Sequence, residues 1–192
     1  MPESIIKASD FKAIVFDLDG TLYTVSGLNF YMALEMPFEP IRLRALFKTR
    51  TDMRGTDYEN REIFKAHFAT KLGSRINMLP QHAIDWYEKK FMAGFINVLS
   101  KHGRLRNGLL PLLSKLRANG LRLAVVSDFG CVKERLSALG IPRDCFDEVL
   151  AAEDFGVMKP TAKPYLYLAE LWKNKPSELL LIGDREDHDL GS

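Results

Sequence analysis

Cysteine is scarce in this sequence, with only Cys131 and Cys145 among 192 residues. Two cysteines cannot build a disulfide framework, and no CxxC pair or cysteine–histidine cluster predicts a zinc site. We therefore expect both to be small buried residues of a protein that works in a reducing compartment.

Long hydrophobic runs and a strong excess of one charge are also absent. No apolar stretch is long enough to span a bilayer, and the first residues show no pattern typical of a signal peptide. The net charge of +2 gives no reason to expect a nucleic acid or an acidic membrane surface as partner. With 46% hydrophobic and 27% charged residues, the composition is that of a globular protein. We expect a cytoplasmic protein that binds neither nucleic acid nor membrane.

Short apolar runs alternate with amphipathic helical patterns over much of the chain. The runs that resemble buried strands are 12–17, 121–128, 147–152 and 178–184. Helical patterns follow at 108–120, 131–140 and 161–173. This alternation predicts an α/β fold with a Rossmann-like parallel sheet, in which ligands bind beyond the carboxyl ends of the strands.

Residues 24–105 interrupt the alternation with helical patterns and no convincing strand. Phe64, Phe68 and Leu72 recur every four residues, which is typical of one buried helix face. We predict that 1–23 and 106–192 form the Rossmann-like core and that 24–105 form an inserted, all-helical domain.

Polar residues of a particular kind follow the predicted strands. The stretch IVFDLDGTL places Asp17 and Asp19 after the first strand, where an Asp-Gly turn or a metal and phosphate site would explain them. Ser127 ends the second strand, Lys159 lies in GVMKP, and Asp184 follows Gly183 at the end of the fourth strand. Each alone fits a helix cap, a solvated lysine or a turn. Their joint order favours the metal and phosphate site.

This ordered set resembles the haloacid dehalogenase (HAD) superfamily, whose four motifs have these residue types in this order. The resemblance covers residues 12–23 and 106–190, and it implies that the insertion at 24–105 is a cap domain. An all-helical cap in this position is similar to that of the phosphoglycolate phosphatase-like and sugar-phosphatase groups. Such caps open and close over the cleft and select the leaving group.

The resemblance implies a role for each motif residue. Asp17 would be the nucleophile and form an aspartyl-phosphate, which divides one difficult displacement into two easier ones. Asp19 would protonate the leaving oxygen and later take a proton from the attacking water. Ser127 would hold a phosphoryl oxygen, Lys159 would bind the phosphate and keep Asp17 ionised, and Thr21 would orient Asp17 or touch the phosphate.

The resemblance also implies a magnesium ion, which prefers oxygen ligands and usually keeps several waters. Asp17, the backbone carbonyl of Asp19, and Asp184 would hold it. Asp189 corresponds to the supporting acid of the last motif, and Asp187 is the close alternative.

Taken together, these residues predict a magnesium-dependent phosphatase that acts on a small phosphorylated metabolite, such as a sugar phosphate or a phosphoglycolate-like compound. Asp19 favours phosphoester chemistry, because members that cleave carbon–halogen bonds do not need this acid. Two alternatives are a sugar-phosphate mutase of the same superfamily and a non-catalytic binding or regulatory member.

Two further features bear on these expectations. Basic residues cluster in the cap: Arg42, Arg44, Lys48, Arg50 and Arg54. A solvated helix face is the simpler interpretation, and the alternative is that one or two of them face the cleft and bind an anionic group of the substrate. The family normally continues past the last motif with a helix, a strand and a final helix, so we expect this sequence to lack them and the strand at 179–183 to be an edge.

Overall fold

The structure is a computed structural model and describes residues 10–184. In chain order its strands are β1 (Ala13–Asp17), β2 (Tyr23–Thr24), β3 (Arg104–Leu105), β4 (Arg122–Ser127), β5 (Glu148–Ala151) and β6 (Leu179–Ile182). Its α-helices are α1 (Leu28–Glu35), α2 (Pro40–Thr51), α3 (Arg61–Ile76), α4 (Pro80–Trp86), α5 (Met92–His102), α6 (Leu109–Ala118), α7 (Val132–Ala138) and α8 (Lys163–Leu171). A π-helical turn, Tyr87–Phe91, joins α4 to α5.

The central sheet has the strand order β5-β4-β1-β6, and every neighbouring pair in it is parallel. Its two middle strands are almost entirely apolar and buried, as expected for a parallel sheet covered on both faces. Hydrophobic residues of α6 and α7 pack with one face and those of α8 with the other. The predicted α/β fold with a parallel sheet is therefore confirmed.

The register of the strands determines which residues meet at the carboxyl edge. Asp17 of β1 is aligned with Val126 of β4, which immediately precedes Ser127. On the other side, Phe16 pairs with Ile182, which brings the loop after β6 beside the loop after β1. The sheet thus gathers the segments that carry Asp17, Ser127 and Asp184 at one edge.

Helices α1 to α5 lie between β2 and β3, and these two strands pair with each other in an antiparallel ribbon. The sequence predicted no strand in this region, but two residues are too few to give an alternating pattern. Buried aromatic residues of the helical region, among them Phe64, Phe68 and Phe91, belong to the same hydrophobic cluster as one face of the sheet. The division into a core and a cap at these boundaries stays a proposal.

Two smaller observations complete the fold. Within residues 10–184, no helix is long and apolar enough to cross a membrane.

The expectation of two buried cysteines was wrong, since Cys131 is exposed and Cys145 is intermediate. Cys131 has a left-handed backbone conformation immediately before α7, in the loop that follows β4, and this places its side chain outside the core.

Candidate active site

Asp17 lies at the end of β1 with its carboxylate between two donors. The Lys159 ammonium donates to Asp17 Oδ1 at 2.6 Å, and the Thr21 hydroxyl donates to Oδ2 at 3.2 Å. Lys159 is only 2% exposed, so that its charge acts on Asp17 with little screening by solvent. A second contact fixes the same loop, because the Lys159 amide donates to the Asp128 carboxylate at 2.8 Å.

Asp19, two residues farther on, accepts hydrogen bonds at both carboxylate oxygens. Its Oδ1 receives the Tyr23 hydroxyl and the Arg135 guanidinium, and its Oδ2 receives the Ser127 hydroxyl at 2.8 Å. Arg135, from α7, is fully buried and also donates to Ser127 Oγ at 2.9 Å and to the carbonyl of Phe129 at 3.2 Å.

These donors control the charge of Asp19. Although 29% of the side chain is exposed, desolvation of the carboxyl on its own would raise the pKa of Asp19. The charge of Arg135 and the hydrogen bonds from Tyr23, Arg135 and Ser127 outweigh that effect and lower the pKa of Asp19 below its ordinary value. Burial, together with the Asp19 charge, raises the pKa of Tyr23, so that its hydroxyl stays a donor. Asp19 is therefore a carboxylate in the free protein.

Asp184 follows β6 and lies against the loop after β1. A β-carbon at Gly20 would lie only 2.3 Å from Asp184 Oδ2, and Gly20 has a φ of +88°, which favours glycine. The absence of a side chain at position 20 therefore lets the Asp184 carboxylate approach this loop. Arg106 also contacts the loop, since its guanidinium donates to the carbonyls of Gly20 and Thr21.

A residue of the helical region between β2 and β3 reaches this site as well. Arg50, on α2, is 3% exposed; it donates to the Asp128 carbonyl at 2.7 Å and lies 3.4 Å from Glu153 Oε2. Its guanidinium lies 3.9 Å from the centre of the Phe129 ring. Arg54 forms a longer ion pair with Asp128, at 3.8 Å. The interpretation of the basic cluster as a solvated face thus holds for Arg44 and Lys48 but not for Arg50.

The structure brings together five of the residues that the sequence singled out and places Asp184 beside their loop. Those five are Asp17, Asp19, Thr21, Ser127 and Lys159. Asp189 and its alternative Asp187 lie outside the described residues. Ser127 differs from its expected role in one respect, because its hydroxyl is engaged by Asp19 and Arg135.

Sequence reasoning missed Arg135, Tyr23 and Glu153. An arginine within a short amphipathic helix resembles any solvated helix residue, and nothing in the pattern of α7 predicts that its guanidinium turns inward. Arg50 had a signal, namely the basic cluster, but the cluster does not indicate which member is buried.

The sequence predicts a magnesium site at the carboxyl edge of the sheet, where the structure places several oxygen donors. Among residues 10–184, no group of three or more His, Cys, Asp and Glu side chains is arranged to hold a metal ion. Two carboxylates lie at this edge of the sheet, however: Asp17 at the end of β1, and Asp184 after β6 and against Gly20. The backbone carbonyl of Asp19 belongs to the same loop after β1 as Gly20. These are hard oxygen donors, and a magnesium ion that keeps several waters needs few of them. The donor set fits magnesium in its chemistry.

Comparison with known proteins gives one family. The family model for haloacid dehalogenase-like hydrolases matches residues 11–192. A glyceraldehyde 3-phosphate phosphatase of Methanopyrus kandleri is 30% identical over 187 residues, which cover 93% of this chain and 78% of that protein. A phosphoglycolate phosphatase of Aquifex aeolicus is 26% identical over 186 residues, covering 91% of this chain and 76% of its own length.

Solved structures of low identity have the same fold. A HAD phosphatase from Thermococcus onnurineus superposes with a TM-score of 0.65 at 20% identity, covering 94% of this chain and 80% of the other. A predicted phosphoglycolate phosphatase from Haemophilus somnus gives a TM-score of 0.64 at 22% identity, with coverages of 95% and 80%.

Proposed function

Because the chain belongs to the haloacid dehalogenase-like hydrolases, we propose that it is a phosphatase that hydrolyses a small phosphorylated metabolite through an aspartyl-phosphate. The family match confirms the resemblance seen in the motifs and the prediction of a hydrolytic enzyme. The named phosphatase relatives support a triose phosphate or phosphoglycolate as first substrates to test.

The observation that supports this function best is the pair of Asp17 and Lys159. The ammonium lies 2.6 Å from Asp17 Oδ1, and both side chains are largely shielded from water. A phosphate ester resists an anionic nucleophile, and a buried cation beside that nucleophile offsets the repulsion. Asp17 attacks phosphorus, the bond from phosphorus to the leaving oxygen breaks, and water then cleaves the acyl phosphate.

Asp19 moves the protons in this scheme. In the second step its carboxylate takes a proton from the attacking water, and the free protein already holds it in that form. In the first step it gives a proton to the leaving oxygen, and that proton can enter with a substrate that binds as the phosphate monoanion. Ser127 releases Asp19 as its hydroxyl turns to a phosphoryl oxygen.

Magnesium would be held by Asp17, Asp184 and the carbonyl of Asp19, with Asp189 as supporting acid. When bound, it would neutralise charge on the phosphoryl oxygens. The cytoplasmic location predicted from the sequence stays a prediction.

The proposal is tested by hydrolysis of p-nitrophenyl phosphate with and without magnesium, in the wild type and in Asp17→Asn. We expect metal-dependent turnover that Asp17→Asn abolishes, because the amide keeps the shape of the side chain but is not a nucleophile. Absence of turnover by the folded wild type would overturn the proposal and favour a non-catalytic member. Strong activation by a sugar bisphosphate would favour the mutase.

A further inference from the structure

Arg135 is the most deeply buried charged side chain near the candidate site, with no exposed surface. Its guanidinium contacts Asp19 through one terminal nitrogen, and Ser127 and the Phe129 carbonyl through the other. Two of these three partners are residues that the proposed mechanism uses. The buried arginine thus joins the proposed proton donor to the proposed phosphate-binding hydroxyl.

Stability alone does not explain an arginine in this position. Removing a guanidinium from water costs several kcal/mol, and apolar side chains often replace buried ion pairs without loss of stability. In addition, Arg135 Nε is buried and has no hydrogen-bond partner within residues 10–184. A residue retained only for packing would not need to bury such a donor.

Aromatic rings hold the guanidinium in place. The Phe95 ring, from α5 of the helical insertion, lies 4.7 Å from the guanidinium carbon, and the Phe129 ring lies 5.8 Å away. Such contacts stabilise a cation over a ring face and restrict its orientation. The arginine is therefore fixed from the cap side as well as from the core side.

We propose that Arg135 is a positioning residue for the first chemical step, because it fixes the direction of the Asp19 carboxyl group. This inference rests on the proposed phosphatase function. Asp19 Oδ1 already accepts from both Tyr23 and Arg135, whereas Oδ2 faces only the Ser127 hydroxyl in the described structure. Oδ2 is therefore the oxygen that can face the leaving group once the Ser127 hydroxyl turns away, and Arg135, by holding Oδ1, determines where Oδ2 points.

The leaving group provides a sharp test. An alkoxide needs a proton as it departs, but p-nitrophenolate is stable enough to leave without one. The ratio kcat/KM reports steps up to formation of the aspartyl-phosphate, so later hydrolysis of that intermediate does not enter the comparison. A residue that aims the proton donor therefore matters for an alkyl phosphate and much less for p-nitrophenyl phosphate.

The experiment measures kcat/KM for p-nitrophenyl phosphate and for glycerol phosphate in the wild type, Arg135→Met and Arg135→Lys. We expect Arg135→Met to lose roughly 10²-fold on glycerol phosphate and less than about 10-fold on the aryl ester, within the range of general-acid effects. Arg135→Lys should recover part of the difference, because its ammonium can still donate a hydrogen bond to Asp19 Oδ1. If Arg135→Met does not fold, the lysine variant gives the same comparison.

Arg50→Met is the matched control, since it also removes a buried arginine that lies over Phe129. It should affect both substrates by the same factor. Asp19→Asn should reproduce the selectivity, and adding Arg135→Met to it should cause no further selective loss. Equal losses on both substrates in Arg135→Met would overturn this inference and leave the phosphatase standing. Absence of hydrolysis of either substrate by the wild type would overturn the proposed function and this inference together.

Discussion

At the scale of single residues, the contact of Lys159 with Asp17 is expected to contribute strongly to activity. We expect Lys159→Met to reduce kcat/KM for p-nitrophenyl phosphate by roughly 10²–10³-fold, the usual cost of losing one preorganised group that stabilises transition-state charge. The reason is that a buried cation 2.6 Å from the nucleophile disappears. Steady-state kinetics with a check of folding by circular dichroism would measure it.

A second lysine provides the control for that variant. Lys163 begins α8, is partly exposed, and pairs with Asp57 at 2.8 Å on the protein surface. Lys163→Met should change kcat/KM less than about twofold, since exposed ion pairs contribute little. A loss in Lys159→Met no greater than that in Lys163→Met would contradict the assigned role of Lys159.

Gly20 is the second residue whose replacement is informative. In Gly20→Ala the new methyl group would meet the Asp184 carboxylate at 2.3 Å, so Asp184 must move away from the loop. We expect lower activity and a higher magnesium concentration for half-maximal rate, because Asp184 is a proposed metal ligand. A magnesium titration of the initial rate would reveal the shift.

Gly108→Ala separates this effect from backbone strain. Gly108 has a φ of +75°, close to that of Gly20, but no atom lies within 4 Å of the position of its β-carbon. Both variants therefore lose roughly 1 kcal/mol of stability from the left-handed backbone. The same magnesium requirement in Gly20→Ala and in the wild type would exclude Asp184 from the metal site.

The sequence predicts some of these residues and not others for physical reasons. Asp17, Ser127 and Lys159 could be found because their motifs follow predictable buried strands or the loops after them. Arg135 could not, since its role depends on the side chain turning inward from α7. The residues around Arg135 in the sequence do not indicate which way its side chain points.

At the scale of elements, Arg50 joins α2 to the loops that follow β4 and β5. It donates to the Tyr87 hydroxyl at 3.2 Å and pairs with Glu153 at 3.4 Å. Burial raises the pKa of Glu153 above its ordinary value, although the attraction of Arg50 and the Tyr87 hydrogen bond act in the opposite direction. Arg50 therefore favours the charged form of Glu153 against the effect of burial on its pKa.

We expect Arg50→Met to lower the free energy of unfolding by roughly 3 kcal/mol, as for other buried pairs that lose one partner. The loss should be greater at pH 8 than at pH 5. Without Arg50 the folded-state pKa of Glu153 rises further above its unfolded value, and stability is then lost as the pH rises through the folded value. Urea unfolding at the two pH values measures the difference.

The matched variant is Arg50→Met combined with Glu153→Gln. The amide removes the unpaired charge and can still accept from Tyr87, so most of the stability should return. If the single and the double variants lose the same free energy of unfolding at both pH values, the ion pair between Arg50 and Glu153 does not link α2 to the segment after β5 as described.

Element boundaries could be predicted where the hydrophobic pattern was long. The four strands of the parallel sheet and helices α6, α7 and α8 fall within the predicted stretches. Nearly all of their observed ends lie one or two residues inside the predicted bounds. The β2–β3 ribbon and the π-helical turn could not be predicted, because a two-residue strand has no period and a π turn differs from an α-helix only in its hydrogen bonds.

At the scale of the whole molecule, one hydrophobic cluster runs from the sheet into the helical region. Phe16 of β1, Leu136 of α7 and Phe95 of α5 all belong to it. The composition predicted a globular chain. It did not predict that the insertion shares the hydrophobic core of the sheet, because an amphipathic pattern indicates which face of a helix is buried but not which element covers it. Arg50 and Arg135 lie where this cluster meets the candidate site, as their contacts with Phe129 indicate.

The measurement that tests the central claim most directly is the search for a phosphoryl group on Asp17 during turnover. The protein would be mixed with substrate and magnesium, quenched in acid, digested and examined by mass spectrometry. We predict a phosphoryl group on the peptide that contains Asp17, removed by hydroxylamine as expected for an acyl phosphate and absent from Asp17→Asn. Rapid turnover with the phosphoryl group on another residue, such as Ser127, would contradict the account.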